Sequence, residues 1–168
     1  MLANFYASSF HSLTLKEVRE VSICLATYAD LDLLRMWKNE NTQSFFHKAK
    51  ISASQQKRWF SRYLLRGDEY MFIALINQKI RFGCLGCRYS EAEGWDIYNV
   101  INGSSATRGR GFMSVALQQL ISFCQCKPQA PITLKVLANN KAHLWYEKNG
   151  FVTRQTNADF ILMEYDRG

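Results

Sequence analysis

SSATRGRGFMSVALQQLISF, residues 104–123, joins a glycine-bearing turn directly to a helix. Met113, Ala116, Leu117, Leu120, Ile121 and Cys124 recur at the spacing that lines one helical face, so the segment predicts an amphipathic helix packed on a sheet. The preceding WDIYNVIN, residues 95–102, has the alternating, aromatic and β-branched character of a strand, which puts Arg108, Gly109, Arg110 and Gly111 at a strand-to-helix junction. Amides in the first turn of a helix lack intrahelical acceptors, and the helix dipole adds partial positive charge there. Such a junction can therefore hold a phosphate with main chain alone. Glycine lets a ligand approach closely, and Arg108 and Arg110 add countercharge. Taken alone, the turn fits a solvated loop with two surface arginines equally well. Its flanks weaken two nucleotide motifs: no Lys-Ser or Lys-Thr follows Gly111 as in a P-loop, and Ser114 stands where a dinucleotide fingerprint needs its third glycine.

A second stretch, VLANNKAHLWYEKNGF at residues 136–151, closes a strand at Val136 and Leu137 and offers asparagines suited to a helix cap. Ala142, Trp145, Tyr146 and Asn149 then share a helical face, and Gly150 takes the helix-stop position that prefers glycine. Together the two stretches resemble the GNAT acetyltransferase family. Its pyrophosphate loop, [QR]-x-x-G-x-[GA], is filled by Arg108 and Gly111, with Met113 a departure from the small residue expected. Its later motif, roughly V-x-x-N-x-x-A-x-x-x-Y-x-x-x-G-F, is matched by Val136, Asn139, Ala142, Tyr146, Gly150 and Phe151. The likeness extends over about residues 18–165.

The 168 residues fit one domain, long enough to bury roughly 70% of the surface that the unfolded chain exposes. We read residues 1–17 as an irregular N-terminal extension and 18–168 as the single domain. The longest uninterrupted apolar run, MFIALI at residues 71–76, is too short to span a bilayer, and MLANFYASSFHSL lacks the basic start and continuous apolar core of a secretory signal. A cytoplasmic protein with no membrane partner is the expectation. Lys and Arg number 21 against 14 Asp and Glu, a net charge of +7, which favours anionic partners. The basic residues are scattered without a long run, which argues against a nucleic-acid module and leaves one only as a non-catalytic alternative. Cys84 and Cys87 form C-x-x-C, and Cys124 and Cys126 form C-x-C. However, Cys84 and Cys87 fall three apart on a strand and so face opposite ways, and Cys124 belongs to the helical stripe. No metal is expected, and Cys24 reads as core.

Elsewhere the pattern predicts a strand at 18–26 and a helix at 31–39 capped by Asp30, with Leu34 and Trp37 facing a core. A loop follows, then a helix to residue 65 opened by a Ser52–Gln55 capping box, with Trp59, Phe60, Tyr63 and Leu64 on one face. Residues 71–76 and 80–89 read as a hairpin, and strands at 132–137, 151–155 and 160–165 complete the chain. The order β-α-α-β-β-β-α-β-α-β-β is α/β and coincides with the GNAT fold. The resemblance adds a mixed, mostly antiparallel sheet whose strands at 95–102 and 132–137 splay apart.

The resemblance further implies acetyl-CoA as acyl donor. Its pantetheine would lie against exposed strand backbone at Val100 and Ile101, and its pyrophosphate on the amides of residues 108–114, with Met113 and Ser114 beside it and Asn139 bonding the coenzyme or orienting the loop. An amine would attack the thioester directly, with no metal and no covalent enzyme intermediate. Tyr146 is the expected proton donor to the departing thiolate, since a phenol holds its proton to about pH 10. As base, Asp96 is the nominal choice, with Glu93 and Glu91 nearby, and His47 is a further candidate. The stretches LRMWKNE and ISASQQKRWFSRYL are similar to the acetyltransferases of ribosomal-protein N-termini and of nucleotide-linked amino sugars. Trp37, Phe45, Phe46 and His47 would face the acceptor, a small amine such as a nucleotide amino sugar, with a protein N-terminus as the alternative. Oligomeric state is left open, a homodimer included.

Overall fold

A computed structural model of the chain describes residues 18 and 20–167, so the extension read at residues 1–17 lies outside the described residues. Seven strands form one sheet in the order β1-β2-β3-β4-β5-β7-β6: β1 Val21–Leu25, β2 Glu69–Ile76, β3 Ile80–Ser90, β4 Gly94–Asn102, β5 Ile132–Leu137, β6 Phe151–Thr156 and β7 Phe160–Tyr165. All neighbours are antiparallel except β4 and β5. Four helices, α1 Leu31–Glu40, α2 Ala53–Tyr63, α3 Phe112–Cys124 and α4 Ala142–Glu147, interrupt the strands in the expected order.

The apolar run of β2 shows how the layers form. Phe72, Ala74 and Ile76 join one core with α3, while Met71, Ile73 and Leu75 join a second with α1 and α2, so the strand is buried on both faces and reads as continuous apolar sequence. All six residues of the α3 stripe are buried. Leu117, Leu120 and Ile121 are almost wholly removed from water, each worth roughly 1.5–3 kcal/mol of transfer free energy. The Ser52–Gln55 box closes reciprocally at the start of α2. Cys84 and Cys87 fall in the two different cores.

Several expectations are corrected. Asp30 does not cap α1 with its side chain: its carboxylate is buried, accepts from the Thr27 amide and hydroxyl, and pairs with Arg81 Nε at 2.7 Å, a tertiary partner that outcompetes the local cap. The last α2 turn ends at Tyr63, which leaves Leu64 52% exposed. Cys24 is exposed, because Val21 and Ile23 take the α3 side of the edge strand β1 and alternation turns Cys24 to the other face, where cover is incomplete. Trp37 is core, 2% exposed, with Gly103 lying so close against its indole that a Cβ there would sit 2.1 Å from it. It is therefore not an acceptor-facing aromatic.

Candidate active site

The parallel register of β4 and β5 runs through Trp95–Ile132, Asp96–Thr133 and Ile97–Leu134 and then stops. Asn99, two residues further along β4, has a left-handed φ of 49°, and β3 and β4 slip register between Cys84 and Gly86. This bulge turns β4 away from β5. The opening is a cleft of about 450 Å³ bordered by Asp96, Asn99, Val100, Lys135 and Tyr146. At one end, Val100, Ala142 and Tyr146 are shared with a cavity of about 390 Å³ that reaches Arg108, Gly109, Gly111, Met113 and Ser114. At the other end, Lys38, His47 and Asn99 are shared with a cavity of about 480 Å³ between α1, α2 and the sheet. The three spaces adjoin in series through these shared wall residues and lay out a track across the molecule.

At the glycine loop, Gly109 and Gly111 have φ of 71° and 78°, and a Cβ on either would meet no protein atom within 4 Å. The Arg108, Arg110 and Ser114 amides already donate to the carbonyls of Ser105, Thr107 and Gly111. Among the described residues the amides of Gly109, Gly111, Phe112 and Met113 have no acceptor, so the seven-residue donor set expected from sequence narrows to four. Four free amides on a bare-faced loop at the start of a thirteen-residue helix fit a diphosphate. Arg108 lines this space, whereas Arg110 is exposed outside it.

Tyr146 stands where cleft and loop cavity meet. It is 8% exposed, its ring edge-on to Trp145 at 4.9 Å and to Phe151 at 5.7 Å, and its hydroxyl makes no hydrogen bond among the described residues. Burial pushes its phenol well above the ordinary value near 10, which keeps it a proton donor. Two residues ahead of α4, Asn140 borders the cleft and its Oδ1 accepts from the Ala142 amide at 3.0 Å, while Asn139 is exposed and outside the cleft. Ile101 lines the cavity between α1, α2 and the sheet and not the cleft, so Val100 alone of that pair borders the cleft.

The carboxylates divide. Asp96 lines the cleft with its Oδ2 held by Arg88 Nη2 at 2.6 Å and Nε at 2.9 Å, so that oxygen is already occupied. Glu93 reaches the cleft from the exposed β3–β4 turn, and Glu91 is exposed in the same turn. Phe45 and Phe46 border the cleft, and His47 lines both it and the cavity between α1, α2 and the sheet.

Two groups at this site escaped the sequence reading. Tyr98 donates to the buried Glu69 at 2.6 Å, fixing the cleft wall. Lys38 donates from Nζ to Asn99 Oδ1 at 2.6 Å and lies 3.1 Å from the centre of the Phe45 ring. Burial lowers its pKa to about 8. Below pH 8 the folded chain carries that charge at full cost. Between about 8 and the unfolded value of 10.5 the unfolded chain binds the extra proton, so this group's contribution to stability rises with pH. Urea midpoints at pH 7.5 and 10 should show a larger upward increment in the wild type than in Lys38→Met.

Among the described residues no three His, Cys, Asp or Glu side chains are placed to hold a metal ion, and no helix is long and apolar enough to cross a membrane. No curated protein matches the sequence. Among solved structures, a domain from Methanocaldococcus jannaschii is similar at TM-score 0.74 and 16% identity, over 86% of this chain and 97% of that one. Spermidine N-acetyltransferase from Vibrio cholerae, in complex with CoA and spermine, is similar at TM-score 0.74 and 18% identity, over 86% and 94%. The family model for the acetyltransferase (GNAT) domain matches residues 23–152. With that match over most of its length, and with the splayed β4–β5 pair and the glycine loop ahead of α3, this chain belongs to the GNAT acetyltransferase family.

Proposed function

We propose that the protein is an acetyl-CoA-dependent N-acetyltransferase whose acceptor is a small primary amine, foremost an amino sugar linked to a nucleotide. The observation that carries this reading is the series of adjoining cavities, from glycine loop through splayed cleft to the acceptor-side cavity between α1, α2 and the sheet, with Tyr146 in one shared wall and Lys38 and His47 in the other. The free amides of Gly109, Gly111, Phe112 and Met113, with Arg108, take the pyrophosphate. The backbone of β4 beyond Ile97, released from β5, takes the pantetheine. The thioester then lies beside Val100 and Tyr146. The amine enters from the acceptor side, forms the C–N bond as the C–S bond breaks, and Tyr146 Oη gives its proton to the departing sulfur. His47 borders the incoming amine and takes its proton, because Asp96 is engaged by Arg88. Holding two reactants in one track supplies a large part of the acceleration by itself.

The charge of the acceptor cavity supports the substrate class. Lys38, His47 and Lys50 line it, with no carboxylate among its described lining residues. A polyamine such as the spermine of the Vibrio cholerae complex would meet like charge here, whereas an amine on an acidic molecule would not. The test is incubation with acetyl-CoA and a panel of nucleotide-linked amino sugars, free amino sugars, polyamines and N-terminal peptides, followed by mass spectrometry. Acetylation of a nucleotide-linked amine is expected, with spermidine untouched. Acetylation of peptides alone would move the reading to protein N-termini. Salt-dependent RNA binding without any acetyl transfer would replace it with a non-catalytic module.

A further inference from the structure

Beside the acceptor cavity lies a smaller one of about 270 Å³, joined to it through Gln55 and Trp59, which line both. Its remaining walls are Arg58, Arg62, Arg66 and Tyr63. The arginines stand four residues apart, from α2 into the turn that follows, so their guanidinium groups share one face. Trp59 and Tyr63 stack along the helix at 5.5 Å and 23°, and the Tyr63 hydroxyl is fixed by accepting from the Met71 amide at 3.1 Å. The floor of this cavity is therefore held by packed rings.

The charge on this face is unbalanced. Helix α2 contains Lys57, Arg58 and Arg62 and no acidic residue. Arg66 is paired with the buried Glu69, but among the described residues neither Arg58 nor Arg62 pairs with a carboxylate. Like charges four apart on a helix repel, so the row costs the free protein stability that an anion seated on it would offset. Guanidinium forks match phosphate oxygens in pairs, and a ring floor suits a planar group stacked beside them.

We infer that Arg58 and Arg62, with Arg66 at the end of the row, form a phosphate site opening from the acceptor cavity, and that it receives the phosphate or diphosphate of the acceptor molecule. This assignment rests on the acetyl-transfer reading for the acceptor's amine, but the anion site itself is tested without catalysis. The amine end occupies the cavity near Lys38 and His47, and the acidic end crosses Gln55 and Trp59 to the arginine row. It also gives a place to part of the net positive charge read from the sequence.

Inorganic pyrophosphate and a set of nucleoside diphosphates serve as probes, titrated calorimetrically with CoA already saturating so that the glycine loop is blocked. Wild-type protein should bind them with an affinity that falls as salt rises, and Arg58→Ala/Arg62→Ala should weaken binding about tenfold or more while leaving CoA affinity within twofold. No uptake by the CoA-loaded wild type, or equal uptake by the double variant, would overturn the inference while leaving acetyl transfer intact. Loss of CoA affinity in the variant would assign the arginines to the coenzyme instead, and uptake of an RNA oligonucleotide without pyrophosphate would assign them to nucleic acid. Pyrophosphate binding by a protein that acetylates nothing would uphold the anion site and remove the function. A melting temperature for the double variant no lower than that of the wild type, expected because both side chains are exposed and their mutual repulsion is removed, excludes unfolding as the cause.

Discussion

Tyr146→Phe should lower kcat about 10²- to 10³-fold, within the range of a positioned general acid, while the dissociation constant for acetyl-CoA stays within about twofold. The substitution removes one oxygen and keeps the ring, so the packing against Trp145 and Phe151 is preserved. The hydroxyl has no hydrogen-bond partner among the described residues, so its loss orphans no buried group and the melting temperature should hardly move. Without a donor, the sulfur must leave as a bare thiolate or take its proton from a water that is not positioned for the transfer. The wild-type phenol, raised by burial, should stay protonated across the working pH range, so no loss of activity from its ionisation is expected near pH 10. Stopped-flow turnover with calorimetric coenzyme binding checks all of this. Equal kcat in both proteins would take Tyr146 out of the chemistry and leave it as a core aromatic.

What the sequence disclosed follows from how local each determinant is. The α3 stripe and the capping box of α2 depend on spacing within one element, and each appears as expected, as does the hairpin strand at residues 71–76. Asp30 shows the limit of that reasoning: its position before a helix fits a cap, yet Arg81, fifty-one residues later, claims the carboxylate. The site was legible in the same partial way. Gly109, Gly111 and Tyr146 sit in contiguous motifs and stand on the track, whereas Lys38 gains its role only from Asn99, sixty-one residues away across the cleft mouth. Nothing in LRMWKNE separates that lysine from a solvated one. Trp37 stands between core and acceptor in the sequence for the converse reason, since an aromatic on an amphipathic helix serves either equally well until Gly103 is seen against its ring. Arg58, Arg62 and Arg66 stand four apart in the sequence, but without the Trp59–Tyr63 floor and the shared cavity wall that spacing is indistinguishable from an ordinary charged face.

Gly111→Val should weaken acetyl-CoA binding about a hundredfold or more while lowering the melting temperature by only about 2–8 °C. The two effects separate because the position makes two different demands. Its φ of 78° is left-handed, which costs an L-residue about 1–2 kcal/mol, more for a β-branched one, and this appears as the modest loss of stability. A Cβ there touches no protein atom, so packing adds nothing to that loss. The open space is the approach to the free amides of Gly109, Gly111, Phe112 and Met113, and a valine side chain would occupy it. Losing two charge-assisted hydrogen bonds at about 1.5–3 kcal/mol each amounts to a hundredfold or greater loss of affinity. Gly67→Ala, at a glycine with an ordinary φ and open surroundings, should leave both quantities unchanged and so controls for mutation as such. Coenzyme affinity that survives Gly111→Val would mean that the diphosphate lies elsewhere, and the loop ahead of α3 would revert to a solvated turn.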